Sequence, residues 1–410
     1  MTKVYVGMSG GVDSSVTAAL LVQQGYDVTG VYMKNWSQDL PGMVCPWKED
    51  YEDAKRVAVQ LGIPFKLYDF ETEYRQRVVD YMIDGYQRGL TPNPDIMCNQ
   101  EIKFKLFLET ALADGADMIA TGHYARILPA VNAHSSAVWS AATSVRSASG
   151  HKQRPGVARA DTSEATFRSR RGSSRLENEY TVPVALYAAH NRDKDQTYFL
   201  YRVTGDALRR SLMPIGEYTT KAEVRAEAAR LGLATAAKKD SQGICFVGKV
   251  GIKEFLLHEL GEQPHGDIID QHGVRIGEHD GAIFYTIGQR SGLGVGGGLP
   301  YYVTGKDMMR HEVYVTTDLQ DKNLWHDHLR LAALHWINSP PEAGKTYHVR
   351  TRHQAGLVPA RFRKTALEDV PIDSQEHGVI VLETPVRAVT PGQSAVLYDG
   401  DRVVGGGIVI

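Results

Sequence analysis

The sequence predicts an α/β protein in three parts: a doubly wound parallel sheet, a small mainly helical domain and a C-terminal β-barrel. Residues 1–128 alternate short apolar runs with helical patterns of roughly 10–15 residues, which is typical of right-handed βαβ units. Helical patterns dominate 205–277, and from 278 onward short strands follow one another between Gly and Pro residues, as in small barrels. We therefore predict domains at 1–204, 205–277 and 278–410.

Each element of the first part has its own signal. Gly25, Gly62 and Gly115 follow apolar helical patterns and are expected to end helices. The predicted strands are Val4–Gly7, Val28–Met33, Phe65–Tyr68 and Met118–Thr121, and the predicted helices are Ser14–Gln24, Tyr51–Leu61 and Phe104–Asp114. Ligands of parallel sheets bind beyond the C-terminal strand ends. Ser9, Met33 and Gly122 each lie at such an end, so we expect them to line one crevice.

Residues 130–177 interrupt this pattern. They are rich in Ser, Ala, Arg and Thr, and contain eight Lys or Arg against three Asp or Glu. So few large apolar side chains cannot offset the entropy of ordering the chain. The segment is predicted to be a disordered insertion in a surface loop, and a basic arm that binds RNA is the alternative.

Regular patterns resume at Tyr180–Tyr187. Helices are predicted at Lys221–Leu231 and Ile252–Leu260. Strands are predicted at Val313–Thr316, Lys345–Thr351, Val379–Leu382 and Ser394–Tyr398, with a hairpin turn at Tyr398–Asp401.

The composition of the 410 residues indicates a globular enzyme. Apolar residues make up 42% and charged residues 23%, the formal net charge is −2, and there are three cysteines. This is too little cysteine for a disulfide scaffold. No apolar run approaches the ~20 residues that cross a membrane, and no signal peptide precedes the first strand. We expect a cytoplasmic protein, with any nucleic-acid surface confined to a local patch.

The most informative motif is the turn Ser9-Gly10-Gly11 between the first strand and the first helix. Glycines allow backbone N–H groups to surround an anion, the helix start adds positive charge, and Ser9, Ser14 and Ser15 offer hydroxyl donors. The turn is not a Walker A loop or a dinucleotide fingerprint, because Gly-Lys-Ser/Thr and G-x-G-x-x-G are both absent here. It resembles the PP-loop of ATP pyrophosphatases, although an ordinary tight turn is the simpler alternative.

Two cysteines lie in unusual surroundings. Cys98 follows a stiff segment with two prolines, and a helix beginning near Asn99 would lower the pKa of its thiol. Asp95 is close enough in sequence to act as an acid or base. Cys245 follows Lys238 and Lys239 in a glycine turn. A lone cysteine is more often a small buried apolar residue, and we assign Cys45 to that class.

With these motifs the chain resembles the tRNA-specific 2-thiouridylases, over nearly all of its length except 130–177. The residues that carry the resemblance are Gly7-Met-Ser-Gly-Gly-Val-Asp-Ser14, Met33-Lys-Asn-Trp36, Thr91-Pro-Asn-Pro-Asp95, Cys98-Asn99, Ala120-Thr-Gly-His-Tyr124, Lys194-Asp-Gln-Thr-Tyr-Phe-Leu200, Asp240-Ser-Gln-Gly-Ile-Cys-Phe246 and Pro391-Gly-Gln-Ser394.

The resemblance implies a role for each matching residue. ATP would be bound by Gly7, Met8, Ser9, Gly10, Gly11, Val12, Asp13, Ser14, Met33 and Gly122. The target base, a wobble uridine in tRNAs for Lys, Glu and Gln, would contact Asn93, Pro94 and Asp95. Contacts to tRNA would come from Lys194, Asp195, Gln196, Arg350 and Thr351, and tRNA selection from His123 and Gln393. Thr351 departs from the Arg-Tyr pair that is common in the family, and the insertion 130–177 departs from it too.

The resemblance also implies a mechanism. Cys98 is the expected nucleophile, and Cys245 would carry persulfide sulfur received from a carrier protein. The uridine oxygen would be adenylated with Mg²⁺ present, which Asp13 could help to place. Persulfide sulfur, or sulfide released by Cys98, would then displace AMP. A Cys98–Cys245 disulfide would remain for a reductant to reset.

Two other functions fit parts of the sequence. An ATP-dependent amide-forming ligase would use the same loop but would not need both cysteines. A non-catalytic tRNA-binding module would need neither ATP nor Cys98. Basic strands such as His348–His353 and Arg361–Lys364 could contact an RNA backbone in either tRNA-binding function, or could simply form a solvated charged face.

Overall fold

The computed structural model describes residues 1–40, 44–130, 183–239, 251–296, 298, 300–366, 372, 374 and 376–410. It has two compact units, one of Met1–Leu128 with Ala185–Ile410 and one of Pro129–Val184. Residues 131–177 of the predicted insertion and the segment 240–250, which contains Cys245, lie outside the described residues. Among the helices that are described, none is long and apolar enough to cross a membrane.

The first part is the parallel sheet that the sequence predicts. Its strands are β1 (Lys3–Gly7), β2 (Asp27–Lys34), β3 (Phe65–Asp69), β4 (Met118–Thr121) and, further along the chain, β7 (Ser211–Leu212). Their order is β3-β2-β1-β4-β7, and every neighbouring pair is parallel. The connections run in opposite directions from β1, so the turn after β1 lies at the switch point where such sheets bind ligands.

Helices flank this sheet. They are α1 (Val12–Gln23), α2 (Trp47–Leu61), α3 (Glu71–Tyr74), α4 (Asp80–Gln87), α5 (Pro94–Met97) and α6 (Phe107–Ala113). A π-helical segment, Arg75–Val79, joins α3 to α4, and another, Cys98–Leu106, joins α5 to α6. The core between sheet and helices is built from small and branched residues such as Val6, Val16 and Ala58, each fully buried.

The middle part contains more β structure than the sequence predicts. After β5 (Ala125–Pro129), β6 (Val184–Ala188) and the helices α7 (Gly205–Arg209), α8 (Lys221–Arg230) and α9 (Ile252–Leu260), a four-stranded sheet follows. It consists of β8 (Gly266–Ile269), β9 (Arg275–His279), β10 (Tyr302–Asp307) and β11 (Glu312–Thr316), in the order β10-β11-β8-β9. We expected 205–277 to be mainly helical. Charged residues on the exposed face of β8 and β9, such as Asp267 beside Arg275, weaken the apolar alternation that would have identified these strands.

The last part is the predicted barrel. Its strands are β12 (Trp325–Trp336), β13 (Tyr347–Arg350), β14 (Val358–Lys364), β15 (Gly378–Arg387), β16 (Ser394–Asp399) and β17 (Arg402–Val409). They run in the order β12-β15-β14-β13-β16-β17, and pairing of β12 with β17 closes the barrel. The hairpin turn is confirmed, since Asp399 pairs with Arg402 across it. On the other edge of β17, Arg402 also pairs with Tyr187 of β6.

Candidate active site

The turn after β1 is pressed against a neighbouring helix. Gly10 has a φ of +74°, a left-handed conformation that glycine adopts without strain. A Cβ atom at Gly10 would overlap the backbone carbonyl of Asp50 in α2. Gly11 is extended and is the N-cap of α1. The two glycines therefore bring the backbone to the start of α1 in an arrangement that suits a phosphate group.

Serine hydroxyls brace this turn. The Ser9 backbone N–H donates to Ser14 Oγ at 3.1 Å, and the Ser14 and Ser15 hydroxyls donate to the carbonyl of Gly11 at 3.2 and 2.8 Å. Ser9 is exposed, with its Oγ 3.3 Å from Ser14 Oγ. We expected all three hydroxyls to donate hydrogen bonds to a phosphate. Because Ser14 and Ser15 donate to backbone, the main donors left for an anion are the backbone N–H groups.

The residues expected to line one crevice do meet at the edge of the sheet. Gly7 pairs with Thr121 of β4, so the ends of β1 and β4 are level. A Cβ atom at Gly7 would lie 2.9 Å from Met33 Cε, and one at Gly122 would lie 2.7 Å from the Ser14 nitrogen. The end of β4 thus touches the start of α1, which only a residue without a side chain permits.

The side chains of the remaining loop residues have other surroundings. Met8 and Val12 are 1% and 3% exposed and belong to the core of the sheet. Asp13, which the sequence analysis associated with a metal ion, is engaged by two neighbours. The Lys221 ammonium lies 2.7 and 2.8 Å from its two carboxylate oxygens, and the Tyr124 hydroxyl donates to one of them at 2.8 Å.

The helix that carries Asp95 and Cys98 begins earlier than expected. We predicted a start near Asn99, but α5 begins at Pro94. Asn93 is the N-cap, and its side-chain oxygen accepts from the backbone N–H groups of Asp95 and Ile96 at 3.1 and 3.2 Å. The prediction was wrong because Pro fits the first position of a helix, where no N–H is needed.

Cys98 therefore lies inside the helix rather than at its N-terminus. The helix dipole acts mainly on the first turn, so it does not provide the thiol activation that we expected. Cys98 is 2% exposed and begins the nine-residue π-helical segment. Such segments often occur at functional sites. Burial raises the pKa of the Asp95 carboxyl, against an opposing effect of Lys103.

This helix packs against the crevice. An aromatic carbon of Phe107 would lie 3.5 Å from a Cβ atom at Gly7, and the Phe104 and His123 rings are 5.6 Å apart. His123 Nδ1 is 2.8 Å from the Thr121 hydroxyl oxygen. Burial, and to a lesser extent Lys103, hold the pKa of His123 well below its usual value, so the ring is neutral at physiological pH. The helix with Cys98 and the glycine turn thus share one wall.

The C-terminal barrel reaches the segment before Asn93. The Gln393 side chain donates to the Thr91 carbonyl at 2.7 Å, and the Thr91 N–H donates to the Pro391 carbonyl at 2.8 Å. A Cβ atom at Gly392 would lie 2.6 Å from the Thr91 nitrogen. Gln393, expected to help to select tRNA, thus contacts the segment that leads to the expected target-base residues.

Two of the residues expected to contact tRNA are paired with each other. Asp195 is 3% exposed, and its Oδ2 lies 3.2 Å from an Arg350 guanidinium nitrogen. The Arg350 guanidinium also lies 5.4 Å from the centre of the Tyr398 ring. Asp195 in addition accepts from the Ala189 N–H. In this arrangement the pair connects the first part to the barrel, while Lys194 is exposed and Gln196 is half-buried.

Arg352 and His353 belong to the basic segment His348–His353 that was expected to contact an RNA backbone, but neither was singled out as a tRNA contact. Arg352 is an exposed residue whose guanidinium donates to the Ala388 carbonyl. The half-buried His353 ring lies 4.5 Å from the Phe199 ring, at 39° to it. Burial lowers the pKa of His353. The Arg-aromatic pattern that we sought at Arg350 and Thr351 is present two residues later, with His as the aromatic residue. The signal was in the sequence, since an aromatic side chain directly after an arginine occurs at Arg352-His353.

The other two cysteines are placed differently. Cys45, assigned to a structural role, has its Sγ 3.6 Å from the carbonyl oxygen of Trp36, and burial raises the pKa of its thiol. Cys245 lies outside the described residues, but the residues on both sides of its segment are described. Lys238 pairs with Asp50 and Asp53 of α2 at 2.7 and 2.6 Å.

A parallel sheet with a glycine turn at its switch point is typical of nucleotide-binding α/β domains. The chain matches a family model described as the tRNA methyl transferase HUP domain over residues 2–146 and 172–249. It also matches the tRNA methyl transferase PRC-barrel domain over 253–317 and the aminomethyltransferase beta-barrel domain over 326–409.

Individual relatives identify the family more narrowly. The chain is 41% identical over 413 residues to the tRNA-specific 2-thiouridylase MnmA of Bacillus subtilis strain 168, covering 100% of this chain and 95% of that protein. It is 39% identical over 416 residues to the protein of the same description from Lactiplantibacillus plantarum, with the same coverage. The chain belongs to the tRNA-specific 2-thiouridylase family.

Proposed function

We propose that this protein is a sulfurtransferase that uses ATP to convert a tRNA uridine to 2-thiouridine. The substrate is the wobble uridine of tRNAs for Lys, Glu and Gln, and the sulfur comes from a persulfide on Cys245. One observation carries the proposal: the helix with Asp95 and Cys98 packs, through Phe104 and Phe107, against the wall of the glycine turn. Nucleotide and nucleophile would therefore act in the same crevice.

In the first step the C2 oxygen of the uridine attacks the α-phosphorus of ATP. The bond from that phosphorus to its bridging oxygen breaks, and pyrophosphate leaves. The backbone around Gly10 and Gly11 binds the phosphates, and Met33 and Gly122 border the adenosine. Mg²⁺, when bound, would neutralise phosphate charge; Asp13 is the carboxylate present for it, and Mg²⁺ commonly combines one or two carboxylates with substrate phosphates.

In the second step sulfur replaces AMP. The terminal sulfur of the Cys245 persulfide attacks C2, and AMP leaves with the former C2 oxygen. The Cys98 thiolate then attacks the inner sulfur, which forms a Cys98–Cys245 disulfide and leaves 2-thiouridine. Alternatively, Cys98 attacks first and releases sulfide, which displaces AMP. Either route ends with a disulfide that a two-electron reductant must reopen.

In this mechanism Cys245 needs to reach Cys98. Cys245 is seven residues from Lys238 and six from Gly251, and a chain spans at most about 3.3–3.6 Å per residue. On one side Lys238 is fixed to α2, whose Asp50 touches the glycine turn. On the other side Phe255 of α9 packs on Trp36, with ring centres 6.2 Å apart.

For tRNA we propose contacts on both sides of the junction between the first part and the barrel. Lys194 and Gln196 lie on one side and the exposed Arg352 with His353 on the other. RNA enzymes commonly take a loop base out of its stack and place it against aromatic side chains. Asn93, Pro94 and Asp95 would contact the extruded uridine.

His123 and Gln393 would help to select the tRNA through the crevice wall and the Thr91 segment. The further partner is a carrier protein that delivers persulfide sulfur, and the expected location is the cytoplasm. The amide-forming ligase and the tRNA-binding module remain the competing functions. Neither gives a role to Cys98 on the helix that packs, through Phe104 and Phe107, against the end of β1 and His123.

The test is a complete reaction with purified protein, unmodified tRNA, ATP, Mg²⁺ and a low-molecular-weight persulfide. Nucleoside analysis by mass spectrometry should show 2-thiouridine, with AMP and pyrophosphate formed in proportion. Cys98→Ser should abolish 2-thiouridine, whereas Cys45→Ser should retain it. Full thiolation by Cys98→Ser would exclude this mechanism, and absence of AMP formation with tRNA present would favour the binding module.

A further inference from the structure

A lysine outside the loop lies next to it. Lys221 is the first residue of α8, and its ammonium contacts both carboxylate oxygens of Asp13. It also lies 5.6 Å from the centre of the Tyr124 ring, whose hydroxyl donates to the same carboxylate. Lysine and aspartate are partly buried, with 16% and 30% of their side chains exposed. Water therefore screens their charges only in part.

The start of α8 is firmly fixed. The Thr220 hydroxyl accepts from the Glu223 N–H at 3.2 Å, and the Glu223 side chain accepts from the Thr220 N–H, which completes a capping box. One turn later, Arg225 donates to the carbonyls of Ala236 and Lys238 at 3.0 and 2.9 Å. Lys221 thus extends from a rigid base towards Asp13.

A cation beside Asp13 would offset the negative charge that Asp13 and the ATP phosphates bring to the loop. Asp13 is only two residues after Gly11, so its carboxylate lies close to where ATP phosphates would bind, and like charges at that range repel. The loop itself contains no lysine or arginine. Lys238 also lies near the loop, but its charge is shared by Asp50 and Asp53. Lys221 contacts the carboxylate of Asp13 itself.

We propose that Lys221 is a phosphate-binding residue for ATP, which takes the β- and γ-phosphates when the nucleotide binds and leaves Asp13 for a divalent cation. This rests on the proposed use of ATP. When the bond between the α-phosphorus and its bridging oxygen breaks, the electron pair goes to pyrophosphate. An ammonium held at the start of α8 would stabilise that developing charge.

The test measures binding of metal-free pyrophosphate and, separately, of AMP by calorimetry with EDTA present. Lys221→Met should lower pyrophosphate affinity at least tenfold and leave AMP affinity within about twofold. Lys221→Arg should recover most of the loss. Arg230→Met is the matched control, because it removes a cation from the other end of α8, where Arg230 pairs with Glu227.

A second pair of variants separates direct binding from mere neutralisation of Asp13. If Lys221 binds phosphate, Asp13→Asn should bind pyrophosphate at least as well as wild type. Adding Lys221→Met to Asp13→Asn should again cost at least tenfold. If Lys221 only neutralises Asp13, Asp13→Asn and the double variant will bind pyrophosphate equally, and the proposal fails. Because the double variant removes both members of the Asp13–Lys221 pair, it also covers the case in which Lys221→Met alone does not fold.

The remaining outcomes are also decisive. Equal losses of pyrophosphate and AMP affinity in Lys221→Met would mean that Lys221 has only a structural role. If the wild-type protein binds ATP but not metal-free pyrophosphate, the proposed role of Lys221 fails and the proposed function stands. Wild-type protein that binds neither ATP nor pyrophosphate would overturn the proposed function itself.

Discussion

At the scale of single residues, Gly122 connects packing to nucleotide binding. Its backbone touches the start of α1, and a Cβ atom there would be 2.7 Å from the Ser14 nitrogen and 2.9 Å from the Asp13 carbonyl carbon. Both neighbours are backbone atoms that cannot rotate away. Gly122→Ala should destabilise the protein by about 1–3 kcal/mol and weaken ATP binding several-fold, because α1 must shift.

Urea unfolding and ATP titration check this prediction. Gly356→Ala is the control, since a Cβ atom there would meet nothing within 4 Å. Gly122→Ala with unchanged ATP affinity would mean that the start of α1 does not contact the nucleotide.

A second residue-scale prediction concerns Asp95. Burial raises the pKa of Asp95 in the folded protein above the ordinary 3.8 of the unfolded chain. At pH values between the unfolded and the folded pKa, the folded protein therefore binds more protons than the unfolded chain. Stability then falls as pH rises through that window, and the full penalty applies above the raised pKa. Asp95→Asn should remove this penalty, so the variant should gain stability over wild type as pH increases from 3.5 to 7.5.

Urea unfolding at several pH values measures the difference in unfolding free energy between Asp95→Asn and wild type. Asp193→Asn, at an exposed position, should show no such trend. If Asp95→Asn instead lost stability relative to wild type as the pH rises, the fold would stabilise the charged form of Asp95. Loss of thiolation in Asp95→Asn together with a gain in stability would be typical of a functional carboxylate.

At the scale of elements, the ion pair of Asp195 and Arg350 joins the turn before Thr197 to strand β13. Removing one partner of a buried pair leaves an uncompensated charge, which costs about 3–5 kcal/mol. Arg350→Met should therefore destabilise the protein strongly even without tRNA. If Arg350 served only to contact tRNA, thermal unfolding of the tRNA-free protein would not change.

The exposed pair of Arg361 and Glu383, 3.7 Å apart, provides the control, since both side chains are about half exposed. Arg361→Met should change stability by less than about 1 kcal/mol. Arg352→Met should weaken tRNA binding and reduce its salt dependence. It should also cost about 1–3 kcal/mol of stability, because it leaves the Ala388 carbonyl without the Arg352 hydrogen bond.

The accuracy of the sequence predictions differs between elements for physical reasons. The parallel strands were predictable because β1 and β4 are buried on both faces and are continuously apolar. The start of α5 was misplaced because Pro92 and Pro94 both indicated a loop, although Asn93 followed by Pro94 is also a helix-start signal. The π-helical segment at Cys98 has no signal of its own in spacing or composition.

At the scale of the whole molecule, the contacts that were not predictable are those between distant parts of the chain. Gln393 and Thr91 are 302 residues apart in sequence, and Arg350 and Asp195 are 155 apart. Nothing in local spacing indicates such pairs. The motifs around them point to candidate residues as a group, but only the three-dimensional arrangement shows that Arg350 pairs with Asp195 and that Arg352 donates to the Ala388 carbonyl.

The last prediction concerns the insertion, of which the family model leaves 147–171 unmatched. The Ala130 N–H donates to the Pro183 carbonyl at 2.7 Å, so the chain leaves and re-enters the described structure at neighbouring positions. Replacing 147–171 with a few glycines and serines should leave the melting temperature and the thiolation rate unchanged.

Residues 147–171 contain six Lys or Arg against two Asp or Glu. If they formed an RNA-binding arm, their removal would weaken tRNA binding and flatten its dependence on salt. We expect neither effect, because so few apolar residues offer no surface that must be buried. Binding titrations at three salt concentrations decide between the two.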